Sequence, residues 1–97
     1  MKPNLDKVRM LAKDLREEKP RPAFQELGGF QMAARTLDKC RATLLGWEGD
    51  FPFGCPMDRE FMAEAELDPE EFKNFVATGA NDKEVAEWIE EHAHARS

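Results

Sequence analysis

Tyrosine is absent from the chain, and cysteine and histidine occur only twice each. Without a phenol, no tyrosyl acid or nucleophile is available. Cys40 and Cys55 stand too far apart in sequence for a metal knuckle or a C-x-x-C redox centre, so free thiols are expected. His92 and His94 are spaced i, i+2, which sends them to different faces of a helix and argues against a metal pair. Neither a cofactor nor a metal site is therefore expected. Apolar runs extend over only a few residues, and "MKPNLDKVRM" contains no uninterrupted hydrophobic stretch. A signal peptide, a membrane span and a membrane partner are thus not expected, and the cytoplasm is the expected location. No strand pattern of useful length occurs, nor does an internal repeat.

What is present reads as a globular domain. Hydrophobic residues make up 41% and charged residues 35% of the 97, with seven Phe and two Trp. A chain of this size forms one domain, residues 1–97, and buries roughly 60% of the surface its unfolded form exposes. The net charge of −6 is unevenly spread: residues 1–22 hold seven basic and four acidic groups, residues 57–97 four basic and twelve acidic. So acidic a second half repels a phosphate backbone, and nucleic acid is not an expected partner.

The fold class is all-α, a compact bundle of about five helices. Leu5, Val8, Leu11, Ala12 and Leu15 recur at helical spacing, predicting a first helix from Asn4, its cap, to Glu18, stopped by "KPRP". A second is expected from Gly29 to Leu45, closed by Gly46. The turn-rich "GWEGDFPFG" follows as an aromatic loop or short hairpin, with Trp47, Phe51 and Phe53 folded onto the core. A third helix is expected over Asp58–Glu66 with Phe61, Met62 and Ala65 inward. Asp68, Pro69 and Glu71 mark the start of a fourth, ended by Gly79, with Phe72, Phe75 and Val76 buried. A fifth runs from Asn81 or Asp82 to His94, with Glu84 closing a capping box on Asn81 and with Val85, Trp88 and Ile89 inward.

The candidate chemistry lies on the second helix and just after it. At about 100° per residue, Phe30, Ala33, Leu37, Cys40 and Leu44 form one stripe, and Arg41 projects about 40° from Leu37. An arginine rooted there needs a carboxylate or anion partner unless it extends along the core edge to water, and Asp38 or Asp58 is the expected partner. Arg35 and Lys39 lie on the opposite face, where solvated charge is expected. "GCPMD" has two readings. With Cys55 as cap, Pro56 and Asp58 take the first and third helical positions and the sulfur meets free amides that activate a thiol. With Asp58 as cap, Met57 and Met62 staple the helix start and Cys55 is a small apolar packing residue, the commoner role of a free cysteine. "LGGF" places Gly28 and Gly29 at a helix start, where amides can hold an anion. The hairpin-like "FKNFVATGANDKEVAEWIE" carries too many glutamates for a DNA-reading helix.

Taken in order, "DLREEKPRP", "LGGF", "ARTLDKCRA", "CPMD", "DPEEFKNFVATG" and "DKEVAEWI" resemble the small bacterial family known as domain of unknown function 5069, over about residues 14–89. The resemblance implies a single-domain bacterial protein and picks out Gly28, Gly29, Arg35, Asp38, Lys39, Arg41, Cys55, Pro56 and Asp58. The chain departs from the family pattern at Phe51-Pro52-Phe53, where relatives often carry a Tyr-His-Tyr-like run. The expected function is a non-catalytic module in which a corner of Arg41, Asp38, Asp58 and Cys55 binds a small anionic ligand or serves a protein partner. A thiol-dependent enzyme or redox sensor using Cys55, with Arg41 beside it, is the alternative.

Overall fold

The computed structural model describes residues 2–96, with side chains described as far as Ala93. His94 of the expected fifth helix has its side chain outside the described residues. Five helices follow in order: α1 Leu5–Leu11, α2 Ala33–Leu45, α3 Pro56–Glu64, α4 Pro69–Val76 and α5 Asp82–Arg96. Among the described residues the sole β feature is an isolated bridge between Leu27 and Phe30.

α2 is the centre of the domain, packed against α1 and α4. Ala33, Leu37 and Cys40 join Phe61, Met62, Phe72, Val76, Val85, Trp88 and Ile89 in one core. The predicted stripe thus sorts correctly, with Phe30 and Leu44 at its margin. The ends of α4 and α5 also follow their sequence signals. Asp68 accepts the Glu70 and Glu71 amides at 2.8 and 3.2 Å. Asn81 and Glu84 exchange both bonds of a capping box, at 2.9 and 2.8 Å.

Three expected elements change their limits, each for a local reason. The first helix stops at Leu11 instead of Glu18, because Ala12 turns extended (φ −76°, ψ 147°) and Asp14 starts a separate turn. The Asp14 carboxylate takes the Arg16 amide and its carbonyl takes those of Glu17 and Glu18, each at 3.0 Å. Leu15 is nonetheless buried, and its amide donates to the Trp47 carbonyl at 3.0 Å. The apolar spacing that suggested one helix therefore belongs to two pieces that converge on the same core.

α2 begins at Ala33 rather than Gly29. Leu27 and Phe30 exchange amide bonds of 3.0 and 3.2 Å across Gly28 and Gly29, whose φ of 63° and 86° demands glycine. Met32 then holds φ 74° at the N-cap, so helical geometry cannot extend back through it. Gly28 and Gly29 accordingly form a turn before the helix, not an anion-binding helix start.

The "CPMD" corner resolves to the Cys55 cap. Pro56 is the first helical residue and Asp58 the third, its carboxylate receiving the Cys55 amide at 3.3 Å. The Asp58 cap and the Met57–Met62 staple do not form: Met57 is 53% exposed while Met62 is buried. No hairpin precedes this corner among the described residues. Phe53 stacks on Phe72 at 6.0 Å between ring centroids, whereas Trp47 and Phe51 lie under the guanidinium groups of Arg16 and Arg35, each 5.7 Å away.

Candidate functional site

Burying a charge is costly unless it is paired and hydrogen-bonded. α2 nonetheless buries Asp38, Lys39 and Arg41 together with Thr36. Two separate clusters pair them, leaving the buried Nε of Arg41 without a hydrogen-bond partner.

In the first, Arg41 donates from Nη1 to Asp82 Oδ1 at 2.9 Å and from Nη2 to the Ala80 carbonyl at 3.0 Å. Neither expected partner is involved. Asp38 is held instead by Arg21, through its backbone amide at 2.8 Å and Nη2 at 2.9 Å, and Arg21 Nη1 reaches Asp82 Oδ2 at 2.7 Å. Asp82 therefore bridges two guanidinium groups. Arg21 fills this place because Pro20 and Pro22 fix the backbone on either side of it and lay its segment across α2. Sequence reasoning missed both Arg21 and the bridging role of Asp82; a lone cation between two prolines, outside any helix, was the available signal. The pairs tie the "KPRP" segment, α2 and the start of α5 together.

The second cluster lies at the α2–α3 corner. Lys39 is buried, against the expected solvated position, with Nζ 2.9 Å from Asp58 Oδ2 and 3.0 Å from Cys55 Sγ. Asp58 also accepts the Thr36 hydroxyl at 2.8 Å and the Gly54 amide at 2.9 Å. The cation beside Cys55 is thus Lys39, not Arg41. Arg35 remains at the edge, donating to the Arg21 carbonyl at 3.3 Å. Cys40 lies in the core, where burial pushes its thiol up to about 12 despite the opposing charges of Lys73 and Arg41. His92 is stacked on Trp88, 3.9 Å between ring centroids, with Nδ1 2.8 Å from the Trp88 carbonyl.

Both clusters make stability depend on acid. Burial pushes the Asp58 carboxyl up, but hydrogen bonds from Lys39, Thr36 and the Gly54 amide outweigh it, leaving it below its ordinary value. Burial likewise raises Asp82, and Arg21 and Arg41 together carry it below its ordinary value. Below about pH 4, where an unfolded aspartate protonates, the unfolded chain takes up protons that these two native carboxylates still refuse. Stabilisation from the pairs is present above that range and is lost as pH falls through the lower folded values. Melting temperatures measured across a pH series are expected to hold from neutrality to about pH 5 and to drop below about pH 4. A melt unchanged into strong acid contradicts the assignment.

A different surface is shaped like a binding site. Met57, Glu60, Phe61 and Glu64 follow one face of α3 and, with Glu26 and the Gly29–Met32 turn, line a cleft of about 460 Å³. A second hollow of about 340 Å³ shares Phe30 and Glu64 with it and continues along Gly28, Ala65, Glu66, Glu90 and Ala93. The two hollows adjoin at Phe30 and Glu64 and are treated together as one groove, with Phe30 and Phe61 meeting edge to face at 6.0 Å in the wall of the first. Five glutamates rim them, and among the described residues no lysine or arginine lines either hollow. Gly28 and Gly29 thus reach a candidate site by this route, through its wall.

Residues 17–97 match the family described as domain of unknown function DUF5069. The chain belongs to that family. The DUF5069 region includes Arg21, both buried clusters, the groove and α2 through α5, while α1 precedes it. It confirms the resemblance read from "LGGF", "ARTLDKCRA" and "CPMD", extends it to the last residue, and carries no assigned activity. No curated protein sequence matches the chain. Among the described residues, no helix of this DUF5069 member is long and apolar enough to cross a membrane, and no group of three or more His, Cys, Asp or Glu could hold a metal ion.

Proposed function

We propose that this domain is a protein-interaction module whose groove between the Gly28–Met32 turn, α3 and α5 takes a cationic amphipathic segment of a partner protein. The observation that carries this reading is the pairing of the Phe30 and Phe61 rings with a rim of Glu26, Glu60, Glu64, Glu66 and Glu90 in which no basic residue takes part among the described side chains. Like charges gathered around one groove repel one another, whereas they complement a basic helix with an apolar face. Met32, which holds φ 74° at the N-cap of α2, lines the same surface, and left-handed backbone at a non-glycine residue persists only where surrounding structure enforces it. Glu66, at φ 56°, closes α3 in a common helix-ending turn, its amide donating to the Ala63 carbonyl and that of Leu67 to the Met62 carbonyl. In the Arg21–Asp38–Asp82–Arg41 cluster, by contrast, two carboxylates already pair the two guanidinium groups, with the buried Nε of Arg41 left without a partner, and this balance of charge favours a structural role there over anion binding.

The test uses two synthetic amphipathic helices, one of lysine and leucine and one of glutamate and leucine. The lysine peptide is expected to bind, more weakly as salt rises, and the glutamate peptide is not. Glu60 and Glu64 are exposed, so the Glu60→Lys/Glu64→Lys variant keeps its fold and should weaken binding about tenfold or more, or about 1.4 kcal/mol. The charge-matched Glu87→Lys/Glu91→Lys variant, altered on another face of α5, should bind as the parent does. Equal weakening by both variants would reduce the effect to net charge and sink the reading.

A further inference from the structure

The corner where α2 meets the start of α3 brings an amine and a thiol into contact beside the charge pair that holds it. The Lys39 side chain is 5% exposed, and its Nζ lies 3.0 Å from Cys55 Sγ while Asp58 holds it from the other side at 2.9 Å. Cys55 itself is a free thiol at a half-buried position, more open to solvent than Lys39. We propose that this pair is an oxidation site, at which dioxygen joins Lys39 Nζ to Cys55 Sγ through one bridging oxygen.

Geometry selects that product. A direct nitrogen–sulfur bond is far shorter than the present separation, whereas two single bonds angled through one oxygen nearly span it. Neither hollow of the groove has Cys55, Lys39 or Asp58 in its wall, which suits an oxidant of two atoms better than a sizeable substrate. The reaction balances with a single dioxygen. Sulfur and nitrogen each give up two electrons, and the oxygen–oxygen bond breaks. One oxygen forms the new S–O and O–N bonds; the other leaves as water with the thiol hydrogen and one hydrogen of the amine. Of the two remaining ammonium hydrogens, one stays on nitrogen and one departs as a proton, for which Asp58 Oδ2 is the adjacent acceptor. The bridge converts a buried cation into a neutral link between α2 and the cap of α3.

The experiment is intact-mass and peptide mass spectrometry of the full chain, purified under reductant and then held in oxygenated buffer. The expected species has gained one oxygen and lost two hydrogens. Its Cys55 resists alkylation after denaturation, its peptides containing Lys39 and Cys55 travel as one, and dithiothreitol restores the parent mass. Cys55→Ser, at a half-buried position, and Lys39→Arg, which keeps the charge without a primary amine, should each abolish the species. A Cys55 that stays fully alkylatable, acquires two or three oxygens as a sulfinate or sulfonate, or pairs with Cys40 overturns the proposal. So does a bridged mass that persists in Lys39→Arg. Because the readout is a covalent mass, it stands or falls independently of whether any peptide enters the groove.

Discussion

Asp58→Ala is expected to lower the unfolding free energy by about 3–5 kcal/mol, because it strands the Lys39 ammonium in the interior. Asp58 is 1% exposed, and its carboxylate receives the Lys39 ammonium, the Thr36 hydroxyl and the Gly54 and Cys55 amides. Removing it leaves four donors without their acceptor at once, and an unpaired buried donor costs far more than a lost hydrogen bond contributes. For a domain of this size each 1 kcal/mol corresponds to roughly 4–8 °C in melting temperature, so a calorimetric scan should show a drop of more than about 10 °C. Since total stability is itself of order 5–15 kcal/mol, the variant can be unfolded outright, and a partner variant keeps the test decisive. In Lys39→Met/Asp58→Asn the charge is gone, the Asn carbonyl can accept the Gly54 amide and its amino group can meet Thr36. That double variant should recover most of the loss. If Asp58→Ala melts within about 3 °C of the parent, or the double variant is the worse of the two, the corner is not held by this charge pair.

Phe72→Ala should cost a similar amount, about 3–5 kcal/mol, through a cavity instead of a charge. Phe72 is fully buried, stacked on Phe53 at 6.0 Å and meeting Trp88 edge to face at 5.9 Å. With Phe75 it joins α4 to α5, and it also holds the loop after α2. Trp88 fluorescence gives a readout beyond the melt: loss of the neighbouring ring should shift its emission, while Phe75 and His92, stacked on it at 5.5 and 3.9 Å, remain. A loss below about 1 kcal/mol would mean that Phe53 and Trp88 collapse into the space, and that the loop is not anchored through this ring.

The parts of the fold legible in the sequence were those fixed by local chemistry. Asn4, Asp68 and the Asn81/Glu84 pair cap the helices their positions predicted, and Gly46 closes α2 with φ 73° as expected. Periodicity failed where one apolar spacing served two structures, as with Leu15 beyond the end of α1. It failed again at Gly29, because helix start signals do not reveal that the chain first reverses through Leu27 and Phe30. The candidate site divides along the same line. That α2 buries charge could be read from Arg41 lying beside Leu37. Its partners could not: Arg21 and Asp82 lie 20 residues before and 41 residues after it in the chain, and no local rule connects them. Lys39 was misplaced because an angle on a helical wheel says nothing about which later segment covers that face, here the turn that carries Gly54 and Cys55. The acidic groove was invisible for a similar reason, since its glutamates come from three separate segments.

The short first helix gives the family boundary a physical meaning. The DUF5069 match starts at Glu17, yet Val8 is fully buried, the Asn4 amide donates to the Ala77 carbonyl at 2.7 Å, and α1 packs on α2. The packed unit therefore extends beyond the family match. Residues 4–12 act as a clasp over α2 and the end of α4, so the matched region alone would leave that surface uncovered.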